Sequence, residues 1–216
     1  ESDASAMKCK HAFKFLGYKK IAEQYHVNLV NLTEVEAEPV KVKVKDQKFN
    51  LRIPKIIKNA DLRINIPKIK HLGLTKITCA LKNIFGCNPY PKKFQYHHRL
   101  DETIVALNEI MNFDLCIVDG IIVSGIQPRR LGLIMASRDP VATDTAAAVI
   151  AGVNPKSVSH IMLAASEGLG SLSYISKGKD PYYFKKKSPK KDTTHKLMNL
   201  GYKLIQSLHL EKRLEY

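Results

Sequence analysis

The stretch "LCIVDGIIV", Leu115 to Val123, restricts what this chain can become more than any other. It is a continuous apolar run broken only by Asp119 and Gly120, the pattern expected of a strand buried on both sides. Such a strand needs covering elements, and the neighbouring sequence offers them. Ala6 to Tyr25 reads as helix broken near Gly17, and "VNLVNL", Val27 to Leu32, as a strand. "KVKVKDQKFNLRIPKII", Lys41 to Ile57, alternates with period two and predicts a hairpin. "ADLRINIPKIK" reads as a further strand ending near Pro67, Leu100 to Met111 as an amphipathic helix, and "GLIMAS" as the strand after the apolar run. Strands alternating with helices predict an α/β fold with a mixed, largely parallel sheet flanked by helices.

Two Asx-Pro pairs punctuate the C-terminal half. Asp139 with Pro140, before "VATDTAAAVIAG", and Asn154 with Pro155, before "SVSHIMLAASEG", have the form of an N-cap followed by proline at the first helical position. Gly168 then stops the second helix. "SEGLGS" at Ser166 to Ser171 lacks the G-K-[ST] of a phosphate loop and is read as that stop. The expected organisation is one α/β domain over residues 1–184. A basic loop and terminal helix over 185–216 would follow, docking through Leu197, Leu200, Leu204 and Leu208.

At 216 residues and 44% hydrophobic content the chain can bury a substantial core. No run approaches the roughly 18 uncharged apolar residues of a membrane helix, and no signal-peptide pattern opens the sequence. A cytoplasmic location without membrane partners is the expectation. The first residue is Glu1 rather than methionine, as in a processed product or a piece of a longer protein. Cys9, Cys79, Cys87 and Cys116 form no C-x-x-C pair, so reduced thiols are expected and no iron–sulfur cluster from this chain alone. The net charge of +15 favours anionic partners, with nucleic acid among them. A lysine-rich solubilising surface would give the same number.

"KIKHLGLTKITCALKNIFGC", Lys68 to Cys87, is the candidate binding segment. Leu74, Ile77, Leu81 and Ile84 fall on one helical face, which predicts a helix over Thr75 to Phe85 with Lys76, Lys82 and Asn83 on the other. Free N–H groups at the start of that helix, joined by Lys70, His71 and Lys76, would suit a phosphate or carboxylate. The alternative is an amphipathic helix with a wet lysine face. Asp119, at the end of an apolar strand, must be paired, hydrogen-bonded or shifted in pKa. It either serves a ligand or accepts N–H bonds from the Gly120 turn. Asp144, among closely packing alanines, is expected to be buried with a cationic partner. Asp119 and Asp144, with Asp139, could hold a divalent cation such as Mg²⁺ through oxygen ligands. His97, His98 and Arg99 offer a general base, an anion clamp or a plain loop, whereas His160 and His195 read as structural or solvated.

Taken in order, "ESDAS", "FLGYKKIAEQYHVNLVNL", "IPKIKHLGLTKITCALKNIFGC", "HHRLDETIVALNEI", "LCIVDGIIVSG" and "ASRDPVATDTAAAVIAG" resemble domain-of-unknown-function family 362 over about Glu1 to Gly170. Members are mostly prokaryotic, several carry a ferredoxin-like iron–sulfur module, and no general activity is established for them. The resemblance places the family's recurring polar positions on Lys70, His71, Lys76, Lys82, Asn83, Gly86, His98, Asp119, Gly125, Asp139 and Asp144. The sequence carries no ferredoxin-like module and no upstream K-P-N strand segment. It has "SGIQPRRLG", Ser124 to Gly132, where members have a G-x-G-P loop. The resulting expectation is an enzyme acting on a small anionic substrate. Lys70, Lys76, Lys82 and Asn83 would bind it, His71 or His98 would transfer a proton, and Asp119 with Asp144 would orient a base or bind a cation. The rival readings are a nucleic-acid or ribonucleoprotein binder using Arg129, Arg130 and Lys185 to Lys191, and a redox partner docking an iron–sulfur protein near Cys79 and Cys87.

Overall fold

The structure is a computed structural model that describes residues 1–4, 7–124 and 127–189. Its first helices, α1 (Cys9–Phe15) and α2 (Tyr18–Tyr25), meet at Gly17, whose φ of 75° breaks the run where the sequence predicted. The hairpin β1 (Ala37–Val44) and β2 (Gln47–Pro54) also forms as expected, in continuous antiparallel register from Ala37 opposite Pro54 to Val44 opposite Gln47. Val42, Val44, Phe49, Leu51 and Ile53 are buried. They are the apolar half of the period-two pattern, and a short helix α3 (Lys55–Lys58) follows them.

The main sheet is mixed. It contains β3 (Ile64–Asn65), β4 (Lys68–Leu72), β5 (Lys76–Thr78), β6 (Leu115–Ser124) and β7 (Arg129–Ser137). β3 and β4 lie end to end, parallel to β6, while β5 runs antiparallel to β4 and β7 antiparallel to β6. An α/β architecture with parallel strands is therefore present. Helices α4 (Ala80–Ile84), α5 (Leu100–Met111), α6 (Pro140–Ile150) and α7 (Ser159–Ser166) pack together, with α4 and α6 reaching the sheet. The five-residue α8 (Pro181–Lys185) packs on α6.

Four expectations need correction. "VNLVNL" is not a strand: Asn31 instead donates its side-chain amide to Asp3 and accepts from the backbone of Thr33, which ties the segment locally. The helix expected over Thr75 to Phe85 begins only at Ala80. Thr75, Ile77 and Cys79 are buried while Lys76 is exposed, the alternation of a strand, and Ile77 pairs with His71. Among the described residues β6 is covered on one face only. Cys116 and Val118 are buried against the helices, but Ile122 on β6 and Ile134 on β7 are exposed. Lys185 belongs to α8 rather than to a basic loop, and the terminal helix and His195 lie outside the described residues.

The Asp139 and Pro140 cap is real. Asp139 Oδ1 accepts from the Ala142 N–H at 2.8 Å and Oδ2 from the Ser171 N–H at 2.8 Å. The chain beyond α7 thus returns across the cap, and a Cβ on Gly170 would stand 2.1 Å from Asp139 Oδ1. Gly170→Ala should therefore cost about 1–3 kcal/mol by displacing the cap, read as a lower urea midpoint at unchanged m-value. A midpoint equal to the parent's would mean that the Ser171 turn moves freely.

Candidate functional site

Asp144 is fully buried, and the partner expected to neutralise it is not a lysine or arginine. Its carboxylate accepts from the backbone N–H groups of Ala80 at 2.6 Å and Leu81 at 3.3 Å. Those are the first N–H groups of α4, so a side chain from α6 caps a helix whose own N-cap, Cys79, supplies no side-chain bond. The helix start proposed for an external anion is occupied by this internal one.

His160 lies on the other side of Asp144. It too is fully buried, with Nε2 3.8 Å from Asp144 and Nδ1 3.7 Å from Asp101. Neither ring nitrogen has a hydrogen-bond partner at these distances. Burial raises the Asp101 carboxyl above the ordinary range, opposed by the charge of His160. Of the structural and solvated readings of His160, its burial fits the structural one, as its place in the apolar "SVSHIMLAAS" face signals.

Asp119 is also held internally. Lys68 Nζ lies 2.6 Å from its Oδ2 and donates to the Ile122 carbonyl as well, while the Ile121 N–H donates to Oδ1 at 2.9 Å. The Lys68 hydrogen bond, with the Ile121 N–H, holds the carboxyl below its usual range against modest burial. Of the two readings open for Asp119, the geometry fits the turn acceptor. Among the described residues no group of three or more His, Cys, Asp or Glu is arranged to hold a metal ion.

The binding-segment residues part company. Lys76, at φ 61°, extends to the Ser157 carbonyl and ties β5 to the turn before α7. Asn83 donates to Asn65, which in turn donates to the Ala80 carbonyl at 2.9 Å, so this pair anchors α4 to β3. His71 is half-buried on β4 opposite Ile77. His98 is exposed and accepts from Arg99 Nε at 3.2 Å.

Lys82 behaves differently. Its ammonium sits 4.4 Å from the centroid of Phe85, half-buried, and among the described residues no carboxylate lies within ion-pair distance and no hydrogen bond is made. Burial first, then the charge of Lys70, pushes it down to about 8, with Asp101 offsetting only part. His97, not His98, faces this group. Its ring lies 6.1 Å from Phe85 and 4.7 Å from Phe94, and burial with the Lys82 charge lowers it to about 4. A 3₁₀ turn over Lys93–Arg99 decides which of the adjacent histidines turns inward. Lys82, Phe85, His97 and Asp101, under the charge of Lys70, form the candidate site.

The cysteines are free. Burial raises Cys79 well above the ordinary thiol range and Cys116 to about 12, so neither is a reactive thiolate at neutral pH.

Asp144→Ala should cost about 2–4 kcal/mol, because it strands two helix N–H groups in the core. Asp119→Asn should cost at most about 1 kcal/mol, as for a half-exposed pair. Urea unfolding with and without millimolar Mg²⁺ checks both, and Mg²⁺ stabilisation that disappears in either variant would restore the metal reading.

Among the described residues no helix is long and apolar enough to cross a membrane. The "Thylakoid-associated protein sll1697" of Synechocystis sp. is 35% identical to this chain over a region covering 56% of this chain and 42% of that protein. The chain thus spans less than half the length of this relative. No solved structure matches. The model of the family described as "Domain of unknown function (DUF362)" matches residues 1–149, more than half of the chain, and the chain belongs to that family.

Proposed function

We propose that the protein is a cytoplasmic enzyme that binds a small carboxylate or phosphate at Lys82 and acts on it by acid/base chemistry. The observation that carries this reading is the half-buried Lys82 ammonium without an ion-pair partner among the described residues. An unpaired cation in a partly apolar setting costs stability, and a bound anion relieves that cost. Lys70 adds long-range attraction for the same ligand.

His97 supplies the acid/base function. It is neutral at pH 7 because burial and the neighbouring ammonium both disfavour its charged form. An anion bound to Lys82 removes the second cause, so His97 gains basicity when the site is filled. Asp101, whose carboxyl burial raises above its usual range, is the next titratable group. Lys76, Asn83, Asp119 and Asp144 are positioning or structural residues in this reading, and His71 and His98 are not assigned proton transfer.

In the unfolded chain Lys82 would titrate in the ordinary lysine range, near 10.5, whereas in the fold it titrates at about 8. The fold therefore carries a penalty of roughly 1–3 kcal/mol below pH 8, relieved as pH rises from 8 toward 10.5. Lys82→Met should remove it and match or exceed the parent's stability at pH 7. Saturating phosphate or acetate should raise the melting temperature of the parent by about 5 °C or more and leave Lys82→Met unmoved. Anion affinity in the parent should fall as pH rises through about 8, where the ammonium is lost. Equal anion shifts in both proteins, or unfolding of Lys82→Met, would remove Lys82 from the site.

A further inference from the structure

A cleft of about 860 Å³ lies far along the chain from Lys82, between β7, α6 and the segment leading into α8. Its size falls in the range that holds a mononucleotide-sized ligand, roughly 300–1,000 Å³. Small and apolar side chains of α6, with Phe184, floor it. Its rim carries Lys177, Lys179 and Lys187, and none of the residues lining it is Asp or Glu. Three cations therefore converge without a carboxylate among the described residues that line the cleft.

Tyr183 stands at the centre of that rim, 44% exposed. Lys187 donates to its hydroxyl at 2.8 Å and lies 4.4 Å from the ring centroid, and Lys179 lies 4.8 Å from the same centroid. Hydrogen bonding from Lys187, then the charge of Lys179, draws the phenol below its usual range. Both lysines are long and exposed, so they can swing from the ring onto an anion and release the ring for stacking. The opposite wall is the backbone of β7 from Leu131 to Ser137. Among the described residues β7 pairs with β6 alone, so its outer edge has backbone donors and acceptors without a strand partner.

An apolar floor, an aromatic face, a hydrogen-bonding edge and a lysine rim match one ligand chemistry. A purely aliphatic anion would leave the strand edge unused, and a bare inorganic anion would leave the floor and ring unused. We propose that this cleft is a second ligand site, taking a nucleoside phosphate with its base between Tyr183 and the edge of β7 and its phosphates on Lys179 and Lys187.

Isothermal titration calorimetry of the full chain with ATP, adenosine, tripolyphosphate and a single-stranded RNA of about a dozen nucleotides tests this. The expected result is saturable ATP binding at one site per chain. Adenosine and tripolyphosphate should each bind about tenfold or more weakly than ATP. The exposed double variant Lys179→Gln/Lys187→Gln, its fold checked by circular dichroism, should weaken ATP about tenfold or more. Tyr183→Ala should weaken ATP but not tripolyphosphate, and Lys82→Met, which removes the anion site proposed above, should still bind ATP at one site per chain. Tripolyphosphate binding as tightly as ATP would overturn the proposal by reducing the cleft to a charge patch. No saturable ATP binding, or the same affinity in the double variant, would overturn it outright. RNA binding without ATP binding would also overturn it, assigning the surface to extended strands instead.

Discussion

The carboxylate of Asp144 is the interaction on which the rest of the site depends. It is fully buried, yet it joins α6 to the first N–H groups of α4 and lies beside His160 of α7. A buried charge is tolerated only where hydrogen bonds replace water, and here the helix N-terminus supplies both the bonds and a favourable dipole. The consequence reaches well beyond one residue. α4 is only five residues long and would not hold its place by helix propensity. Asp144 at its start and the Asn83 and Asn65 pair along its length fix it against the sheet and so aim Lys82.

Four carboxylates, those of Asp3, Asp119, Asp139 and Asp144, are consumed internally, and that leaves certain cations conspicuous. Asp119 is engaged by Lys68, Asp139 by two backbone N–H groups, and Asp3 by the Cys9 N–H and Asn31. The opening "ESD" is itself part of the frame: Ser2 donates to the Asn88 carbonyl at 3.0 Å and Lys93 reaches Ser2. Lys82 on one side, and Lys179 with Lys187 on another, meet no carboxylate within ion-pair distance among the described residues. The two groups differ in surroundings. Lys82 sits half-buried beside a phenylalanine and a histidine that burial, with this charge, keeps neutral, an arrangement suited to acid/base work. The lysines over Tyr183 rim an open cleft and suit recognition.

The amphipathic helix from Leu100 to Met111, the Gly17 break, the hairpin and the Asp139 cap were all legible because each rests on local chemistry. A period, a positive φ or a cap acts over a few residues. The reading failed where two periods competed. Leu74, Ile77, Leu81 and Ile84 satisfy a helix, but Thr75, Ile77 and Cys79 also satisfy a strand, and pairing with β4 settled the choice. The candidate site was half legible for the same reason. The lysine-rich segment itself points to Lys82 and Lys70, whereas which of His97 and His98 turns inward, and that Asp101 comes within reach of the Lys82 charge, depend on the 3₁₀ turn and on packing.

The sequence by itself determined the hairpin, the helix over Leu100 to Met111, the Asp139 cap and the inventory of charged groups, since these depend on neighbours along the chain. Tertiary structure alone decided which charges are spent and which remain. Whether a lysine meets a carboxylate depends on which strands and helices are brought together, and a few ångströms separate a neutralised pair from an unpaired cation. Asp144 was expected to need a cation and found a helix terminus instead. Lys82 was expected to hold an anion from the polar face of its helix, and it is held against Phe85, where desolvation and the charge of Lys70 lower it to about 8.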